Sequence, residues 1–473
     1  MVSGRFVIAF CVFIAAYMYY SPHGPVERTL QSWQAQIQLP VVRFHRVAVG
    51  VNAGVDLIVS ATELLKSLGM TPSQTRTDHL HLDSLQQLEE AVGYYMEKGA
   101  AGERYMGDGA LFQQIVGVAR NLPDRKFFIG GNAALMGERM TAMGVQVLLG
   151  GPMGPQAMKL LSSDIQVPRD CIRAQDEVHL ILEFGRGETW GDVEAAVATR
   201  FIFSNDISNA RMEPLEAFFG QLEQFRPDLV VLSGLHLLEK EKESFRQTRL
   251  ERIVHMLRNI PAGIAVHLEL ASMVDMAFLK KVAAEVFPVV HSIGLNEQEL
   301  TFLCKSVDGP LHAEVLEGGQ PEIPAVNDIL FWLLDTYGNS EENPTSRFSR
   351  IHFHSLTFHV TAALPNLWGN LPSATAAGCM VAPQQACGVD DIITPADTDL
   401  KIPLAFPLSV QHPPLRRRVV KYDPYHPVTS WMREKVEFAF SPVLVCKNPI
   451  RTVGLGDAIS ATGLLYSQFK GAQ

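Results

Sequence analysis

The strongest chemical signal in the sequence is the segment TVGLGDAIS, residues 452–460. Gly454 and Gly456 let the backbone approach a phosphate without obstruction by a Cβ atom. The residues that follow have helical spacing, and a helix N-terminus presents free N–H groups and the positive end of its dipole to an anion. Asp457, at the predicted helix start, can accept the proton of an attacking sugar hydroxyl. The segment predicts either an anion hole with a general base or an ordinary turn and helix cap.

Two acidic motifs lie upstream of this segment. Asn296 and Glu299 open an amphipathic run, and His267 and Glu269 end an apolar one. Glu299 can complete a capping box with Asn296, and it can also hold hydrated Mg²⁺, which proteins bind through one or two carboxylates and water. Residues two apart in a strand share a face, and ligands of open α/β sheets bind beyond the carboxyl ends of strands. Glu269 is therefore a candidate metal or water ligand, or else a solvated strand end.

A third pattern combines glycine with an amide side chain. Gly130, Gly131 and Asn132 directly follow an apolar run. Paired glycines permit a close backbone approach, and the Asn132 amide offers both a donor and an acceptor. The tripeptide suits contact with a sugar hydroxyl, and it equally suits a plain turn.

Apolar, β-branched runs recur along the chain and alternate with helical segments. The predicted strands cover residues 45–52, 126–129, 145–149, 229–232, 263–268 and 351–354, and the predicted helices include residues 215–225, 246–259 and 276–286. This alternation is typical of a mostly parallel sheet that helices cover on both faces.

Two stretches, residues 71–109 and 176–206, are more polar and less regular. The second contains the runs VHLILEF and RFIF, whose alternation predicts half-buried strands. We expect a small antiparallel lid, with segments at about residues 60–110 and 175–206, inserted in a main domain over residues 45–473. Residues 23–44 precede that domain as a linker, whose polar part at residues 27–38 could also be a helix.

The composition excludes several classes of protein. With 47% hydrophobic and 19% charged residues, the chain is globular in character rather than disordered. The formal net charge of −10 provides no basic stripe to track a phosphate backbone, so nucleic acid is not an expected partner. The dense basic run at residues 416–418, with Lys421 nearby, is interpreted as a solvated loop.

The N-terminus carries a different signal. Residues 6–20 are uncharged and largely apolar, Arg5 precedes them, and SPHGP follows. A membrane-spanning helix needs about 20 apolar residues, so this shorter run predicts a signal peptide or short signal anchor over residues 1–22. Tyr19 and Tyr20 do not form a clean cleavage pattern, so cleavage and retention both stay open. Membrane contact is expected only through this segment, and Pro344 blocks the one near match to an N-glycosylation site.

The six cysteines do not indicate a disulfide scaffold. Cys11 lies in the targeting segment. Cys379 and Cys387 flank what reads as a short loop and could bridge in an oxidising lumen, or they could remain two free thiols. A structural zinc site is not supported, because the chain has no Cys-x-x-Cys.

In this order, the motifs GGN (130–132), HLE (267–269), NEQE (296–299) and GLGD (454–457) resemble those of the ADP-dependent sugar kinases of the ribokinase-like superfamily. The resemblance covers roughly residues 45–470, and the N-terminal hydrophobic segment is similar to that of the animal ADP-dependent glucokinases, which enter the secretory pathway. It implies a ribokinase-like α/β/α sandwich with a mostly parallel central sheet and a small β-rich lid. It also implies ADP and D-glucose as substrates, glucose 6-phosphate and AMP as products, Mg²⁺ as cofactor, a monomer, and a place in the endoplasmic reticulum lumen or outside the cell.

The resemblance also implies roles for individual residues. Asp457 matches the catalytic base, and with residues 454–456 it matches the anion hole; Glu269 and Glu299, together with Asp457, match the metal-organising acids. Arg200 resembles the arginine that neutralises the transferred phosphoryl group. The expected sugar contacts are Asn52, Asp56, Glu103, Gly131, Asn132 and His179. The expected nucleotide contacts are His354, His359 and Val453, and the anion-hole residues are Gly454, Leu455 and Gly456.

Two other functions compete with this one. An ADP-dependent phosphofructokinase would need cations for a sugar phosphate, whereas Glu103 would repel that phosphate and so favours glucose. A non-catalytic regulator that binds sugar or nucleotide could keep the fold, but the intact Asp457, Glu299 and Glu269 argue against it.

Overall fold

The protein is described by a computed structural model that covers residues 24–311, 321–389, 393–450 and 453–471. The chain divides into two compact units. Unit 1 contains residues up to 45, residues 228–230 and residues from 250 to the C-terminus, and unit 2 contains residues 46–227 and 231–249. The predicted targeting segment, residues 1–22, lies outside the described residues. Within them, no helix is both long enough and apolar enough to span a bilayer.

The α-helices, in chain order, are α1 Gly24–Gln36, α2 Ala61–Ser67, α3 Leu85–Lys98, α4 Gly109–Ala119, α5 Asn132–Ala142, α6 Pro155–Leu160, α7 Ile207–Ala210, α8 Leu215–Phe225, α9 Glu243–Arg258, α10 Met276–Glu285, α11 Glu297–Ser306, α12 Ile323–Tyr337, α13 Leu371–Cys387, α14 Pro413–Arg416 and α15 Leu455–Tyr466. The strands are β1 Arg46–Gly50, β2 Gly54–Ser60, β3 His81–Leu82, β4 Gly102–Met106, β5 Lys126–Gly130, β6 Gln146–Gly150, β7 Ile165–Gln166, β8 Val178–Phe184, β9 Thr189–Trp190, β10 Val193–Glu194, β11 Thr199–Ser204, β12 Leu229–Leu232, β13 Ala265–Glu269, β14 Ser292–Asn296, β15 Arg350–His354, β16 Phe358–Ala363, β17 Trp368–Gly369, β18 Thr398–Leu400, β19 Ala405–Pro407, β20 Val419–Lys421, β21 Thr429–Arg433, β22 Val436–Pro442, β23 Leu444–Cys446 and β24 Gln468–Phe469.

The sheet of unit 1 runs in the order β21-β22-β16-β15-β14-β13, and β12 follows. β13, β14 and β15 pair in parallel, whereas β16, β22 and β21 add an antiparallel edge. Every residue of β13 and β15 is buried, which is the pattern of strands covered on both faces. α13 and α15 pack on each other, and α13 also packs on β16 and β22. This arrangement positions the carboxyl ends of β13 and β14 beside the start of α15.

Unit 2 contributes parallel strands and a second sheet. β1, β6 and β7 pair in parallel. The second sheet has the order β3-β4-β11-β8-β2-β5, and one of its faces packs on an apolar core that includes Leu57, Leu180 and Phe201. Predicted and observed strands agree closely where an apolar run is short and bounded, as at β12 and β8.

The second sheet corrects two predictions. The lid strands were expected to be antiparallel, but the β3–β4, β4–β11 and β2–β8 pairs are parallel and only the β8–β11 and β2–β5 pairs are antiparallel. Parallel pairs need long crossover connections, and the helices between these strands provide them. β5 was predicted as a strand of the main parallel sheet, yet it pairs antiparallel with β2 in this sheet. Its alternating exposure at Lys126 and Phe128 is that of a half-buried edge strand.

Residues 24–36, predicted as a linker with a helix as the alternative, form the helix α1. Trp33 is fully buried on it, and the Trp33 indole N–H donates to Ser441 Oγ at 3.1 Å. Ser32 Oγ donates to the Pro424 carbonyl, also in unit 1. The segment is thus part of the core of unit 1 rather than a free connection.

The suggested Cys379–Cys387 bridge is wrong. Cys387 pairs with Cys446, and Cys379 is a buried free thiol. The sequence around these residues reads as a loop, but both cysteines lie on α13. Eight residues of helix separate them by about 12 Å, which is far beyond the reach of a disulfide.

Candidate active site

One face of the second sheet in unit 2 carries three of the six predicted sugar contacts, together with Arg200. Asp56 on β2 is paired with His179 on β8, and residues two apart on a strand share a face, so Arg200 on β11 and Glu103 on β4 fall on the same side. We call these four residues the polar face. The alternate residues of the same strands face the apolar core. The alternation of side chains along each strand therefore puts the four polar-face residues on the opposite side of the sheet from that core.

His179 lies at the centre of the polar face. His179 Nε2 lies 3.2 Å from Asp206 Oδ2, and its Nδ1 lies 3.6 Å from Asp56 Oδ1. Burial lowers the pKa of His179, but the hydrogen bond and charge of Asp206, with the charges of Asp56 and Glu103, outweigh it and raise the pKa to about 9. The imidazole is therefore a cation at neutral pH and can donate a hydrogen bond to a sugar hydroxyl.

Asp56 is buried, and burial raises the pKa of its carboxyl to about 6 although His179 and Arg200 oppose the shift. Gly130, paired with Gly54 across the β2–β5 ladder, leaves room for this carboxylate. A Cβ atom on Gly130 would lie only 2.2 Å from Asp56 Oδ1. The first glycine of the GGN motif is thus explained by the close approach of a site carboxylate.

Glu103 has neighbours that the sequence did not single out. The surrounding protein disfavours the charge of its carboxylate, but His179, Lys240 and His236 attract it, and the pKa of Glu103 falls below its usual value. Burial lowers the pKa of His236 to about 4, so this imidazole is neutral. Lys240 Nζ lies 5.5 Å from the centre of the Tyr105 ring. Glu103 therefore remains an ionised acceptor at neutral pH.

The loop after β1 is fixed by amide groups. Asn52 Nδ2 donates to Asn132 Oδ1 at 3.1 Å, and Asn52 Oδ1 accepts from the Ala133 N–H and from Ser233 Oγ. Gly131 has φ +86°, and a Cβ there would lie 2.7 Å from Ala53 Cα. These contacts place Asn52 and Asn132 side by side at the start of α5.

Two residues of this region escaped the sequence analysis. Asn209 holds both the N–H and the C=O of Ala53, and the buried Asp206 caps α7 while contacting His179. The signal was present as Asp206-Ile-Ser-Asn209, an N-cap pattern at a strand end. Only the fold shows that this cap also charges a site histidine.

In unit 1 the predicted anion hole opens α15. Gly454 takes φ +69° as the N-cap, which glycine adopts without strain, and Leu455, Gly456 and Asp457 form the first turn. A Cβ on Gly456 would lie 3.1 Å from His354 Cε1, so a small residue is needed there. Asp457 is buried, with 6% of its surface exposed. The first turn of α15 therefore contains both the N–H groups of the predicted anion hole and the Asp457 carboxylate.

Glu269 and Glu299 lie close to this turn. Glu269 ends β13 and accepts from Ser460 Oγ at 2.8 Å, one turn after Asp457 on α15. Burial raises the pKa of Glu269, but the hydrogen bond from His267, with the His354 imidazole nearby, outweighs it, and the pKa falls to about 2. Glu269 is therefore an anion throughout the physiological range. Ser460 was not predicted, because a serine inside a helical run carries no signal of its own.

Glu299 forms the predicted capping box. Glu299 Oε2 accepts from the Asn296 N–H at 2.8 Å, and Asn296 Oδ1 accepts from the Glu299 N–H at 3.0 Å. Burial raises the pKa of Glu299 well above its usual value, and the nearby charges of Glu269, Asp457 and Glu297 raise it further. The carboxylates of this cluster repel one another, so a cation would relieve a real electrostatic cost.

This repulsion suits the magnesium ion that the sequence resemblance implies. Among the described residues, no three His, Cys, Asp or Glu side chains form a cage that could hold a metal directly. Mg²⁺ is commonly bound through one or two carboxylates and several waters, so Glu269 and Glu299 fit that mode. Both carboxylates already accept protein hydrogen bonds, which fixes their orientation.

The predicted nucleotide residues lie on the adjoining strands and before α15. His354 and His359 are directly paired between β15 and β16, and His354 Nε2 lies 3.9 Å from Glu269 Oε1. His359 is fully buried. The Val453 carbonyl accepts from Gln385 Nε2 at 3.0 Å. Their role in binding a nucleotide stays a prediction.

The predicted residues thus form two groups. Unit 2 holds the polar face with Asn52, Gly131 and Asn132, and unit 1 holds the α15 turn, the acidic cluster and the two histidines. The roles of these residues in binding and catalysis are proposals, and the arrangement within each unit is compatible with them.

Comparison with known proteins gives the family. Residues 45–466 match the family described as the conserved region of ADP-specific phosphofructokinase/glucokinase. The chain belongs to this family. It is 46% identical over 450 residues to a Bos taurus protein named ADP-dependent glucokinase, covering 95% of this chain and 89% of that protein. It is 38% identical over 447 residues to a Caenorhabditis elegans protein named probable ADP-dependent glucokinase, covering 93% and 88% of the two chains.

The fold comparison agrees with the family. A crystal structure of a hypothetical ADP-dependent phosphofructokinase from Pyrococcus horikoshii superposes with a TM-score of 0.67 at 17% identity, covering 91% of this chain and 98% of that one. At this low sequence identity the structural similarity is evidence for the fold alone. The predicted fold class, an α/β protein with a mostly parallel central sheet, is confirmed, and so is the resemblance to the ADP-dependent glucokinases.

Proposed function

We propose that this protein is an ADP-dependent glucokinase, which transfers the β-phosphoryl group of ADP to the 6-hydroxyl of D-glucose and releases AMP and glucose 6-phosphate. The observation that carries the proposal is the near-full-length similarity to the bovine protein of that name. The phosphofructokinase of similar fold is a much more distant relative in sequence. The proposal therefore keeps the predicted enzyme class, a sugar kinase, and the predicted reaction between ADP and glucose.

In the proposed mechanism Asp457 accepts the proton of the sugar 6-hydroxyl as that oxygen attacks phosphorus. The N–H groups of the first turn of α15 stabilise the negative charge that spreads over the moving phosphoryl group. When bound, Mg²⁺ would neutralise the diphosphate, and Glu269 and Glu299 are the residues that would hold it. Little covalent work is required, so most of the rate comes from positioning and electrostatics.

The polar face is proposed to bind the sugar. Asp56 and Glu103 are ionised acceptors for sugar hydroxyls, and His179 is a cationic donor held by Asp206. Arg200, on the same face, is proposed to neutralise the transferred phosphoryl group.

The deciding experiment supplies purified protein with glucose and either ADP or ATP and measures AMP and glucose 6-phosphate. We expect AMP to form with ADP and in equal amount to glucose 6-phosphate. Fructose 6-phosphate as the preferred acceptor would instead identify a phosphofructokinase. Glucose binding without AMP formation would identify a non-catalytic binding protein.

We further propose that Mg²⁺ is the required cofactor. The repulsion among Glu269, Glu299 and Asp457 supports this assignment. Chelation with EDTA should abolish turnover, and added Mg²⁺ should restore it. Full activity after exhaustive chelation would contradict the proposal.

We also propose entry into the secretory pathway, with the protein in the endoplasmic reticulum lumen or outside the cell, and a monomeric state. The uncharged run at residues 6–20 and the Cys387–Cys446 disulfide support an oxidising compartment. Protease protection in isolated microsomes tests the location, because a lumenal protein is digested only after detergent is added. Light scattering after gel filtration tests the monomer.

A further inference from the structure

A line of hydrogen bonds runs through the buried interior of unit 1 and ends at Glu269. Arg350 Nη1 donates to Ser292 Oγ at 2.8 Å, and Ser292 Oγ lies 3.0 Å from His267 Nδ1. His267 Nε2 lies 3.0 Å from Glu269 Oε2. Arg350, Ser292 and His267 are completely buried, and Glu269 nearly so.

The two ends of this line fix the directions of its first and last bonds. A guanidinium has only donors, so Ser292 Oγ must accept from Arg350 and its own proton is free to go to His267. An ionised carboxylate has only acceptors, so Glu269 must receive a proton from His267 Nε2. A neutral His267 satisfies both demands with Nδ1 bare and Nε2 protonated.

The buried position of Arg350 is energetically unfavourable for its positive charge. Burial lowers the pKa of its guanidinium to about 9, and among the described residues its Nε and Nη2 have no hydrogen-bond partner. Its cation lies 5.4 Å from the centre of the Trp368 ring, and the attraction of the Glu269 charge only partly offsets the effect of burial. A buried charge that is left so poorly paired is weak as a stabilising element. Its directed bond to Ser292 is the feature that a neutral apolar side chain could not replace.

We propose that Arg350 and Ser292 are positioning residues that fix the tautomer of His267 and thereby the orientation of the Glu269 carboxylate. Without the guanidinium, the Ser292 hydroxyl can rotate and accept a hydrogen bond from the other His267 tautomer, in which Nδ1 carries the proton. The bare Nε2 would then face the carboxylate lone pairs, and Glu269 would turn away. This inference rests on the proposed function, because Glu269 is the acid offered to the diphosphate and its cation.

The test compares Arg350→Met, which keeps the packing stem without donors, with Arg350→Lys, which keeps a donor-only cation. Loss of an outer-shell partner of a metal-site residue typically costs about 10–100-fold in activity or metal affinity. We expect Arg350→Met and Ser292→Ala each to lower kcat by that factor while KM for glucose stays the same. Arg350→Lys should recover much of the loss.

The matched control is Ser349→Ala, which also removes a fully buried hydroxyl in unit 1 but one that donates to the His291 and Arg347 carbonyls and accepts from the Trp368 indole. Its kcat should stay near that of the wild type. If Arg350→Met melts differently but turns over normally, Arg350 is purely structural and the proposal fails. Should Arg350→Met not fold, Ser292→Ala decides the question alone. A wild-type protein without ADP-dependent turnover would instead refute the proposed function.

Two readouts do not depend on activity. Calorimetry of Mg²⁺ binding in the presence of ADP should show weaker binding in Arg350→Met and Ser292→Ala but not in Ser349→Ala. In histidine-¹⁵N-labelled protein, the resonances missing from His267→Gln identify the His267 ring. We expect a bare Nδ1 in the wild type and a changed Nδ1 signal in Arg350→Met. A protonated Nδ1 in the wild type would overturn the proposal.

Discussion

At the scale of single residues, the same type of side chain is charged or neutral according to its neighbours. His179 is drawn to its cationic form by Asp206, whereas His236 is neutral because burial outweighs the attraction of Glu103. Glu269 is strongly acidic because of its hydrogen bonds, whereas Glu299, buried among other carboxylates, is not. The roles proposed for these residues follow from such differences, which a sequence motif does not contain.

Asp457 gives the most direct prediction. Asp457→Asn keeps the size of the side chain but removes the proton acceptor, so kcat should fall by about 10²–10⁴-fold. Glucose affinity measured by calorimetry should change little, because the proposed sugar contacts lie in unit 2. Asp124→Asn, at an exposed aspartate, is the control and should behave as the wild type. Near-normal turnover of Asp457→Asn would refute the assignment of the base.

His179 should make stability depend on pH. Its pKa is raised from 6.5 to about 9 in the folded protein, so its contribution is fully present below pH 6.5 and is lost as the pH rises through 9. The contribution of this shift to stability is on the order of 3 kcal/mol. The melting temperature of the wild type should therefore fall more between pH 6.5 and 9 than that of His179→Gln. Equal slopes, or a slope altered just as much in the exposed variant His426→Gln, would contradict the pairing with Asp206.

At the scale of elements, the register of paired strands determines where a glycine is required. β5 places Gly130 opposite Gly54, where a Cβ would displace the Asp56 carboxylate. The GGN motif could be found in the sequence, but its partner Asp56 lies 74 positions away from Gly130 along the chain and is brought there only by the β2–β5 ladder. For the same reason β5 was assigned to the wrong sheet and Cys387 to the wrong partner, since both pairings join distant segments.

Gly130→Ala should therefore impair sugar binding without unfolding the protein. Losing one hydrogen bond to a charged group costs about 1.5–3 kcal/mol, which corresponds to a rise in KM for glucose of about 10–100-fold. KM for ADP should stay the same. The control is Gly220→Ala on α8, where an added Cβ meets no atom within 4 Å. A glucose KM unchanged in Gly130→Ala would show that Asp56 does not bind the sugar.

The disulfide joins the end of α13 to β23 across 59 residues of sequence. Cross-links of this kind stabilise folded proteins by typically 2–4 kcal/mol. Cys446→Ser should therefore lower the free energy of unfolding in urea by that amount, whereas Cys304→Ser, at a buried cysteine outside the disulfide, removes no cross-link. If dithiothreitol destabilises the wild type and Cys446→Ser equally, the disulfide is not the cause.

At the scale of the whole molecule, the sequence predicts the fold class because apolar runs and amphipathic segments alternate locally. β12 and α8 begin and end where their patterns do. The grouping of Asp457, Glu269 and Glu299 could be predicted only through the family resemblance, since almost 190 positions separate the first two. The line of hydrogen bonds from Arg350 to Glu269 could not be predicted, because a buried arginine on an apolar strand shows no periodic pattern.

The sequence also left the nature of α1 open, because residues 27–38 could be either a linker or a helix. A deletion of residues 1–23 leaves every described contact in place, so kcat and the melting temperature should match those of the full chain. A deletion of residues 1–38 also removes α1 and leaves the space of the fully buried Trp33 empty, with Ser441 Oγ losing the indole donor. Removing a buried tryptophan side chain typically costs about 3–5 kcal/mol, so the longer deletion should melt at a distinctly lower temperature or fail to fold. The substitution Trp33→Ala in the protein that lacks residues 1–23 separates the side chain from the rest of the helix, and equal melting of all three proteins would mean that α1 is a linker after all.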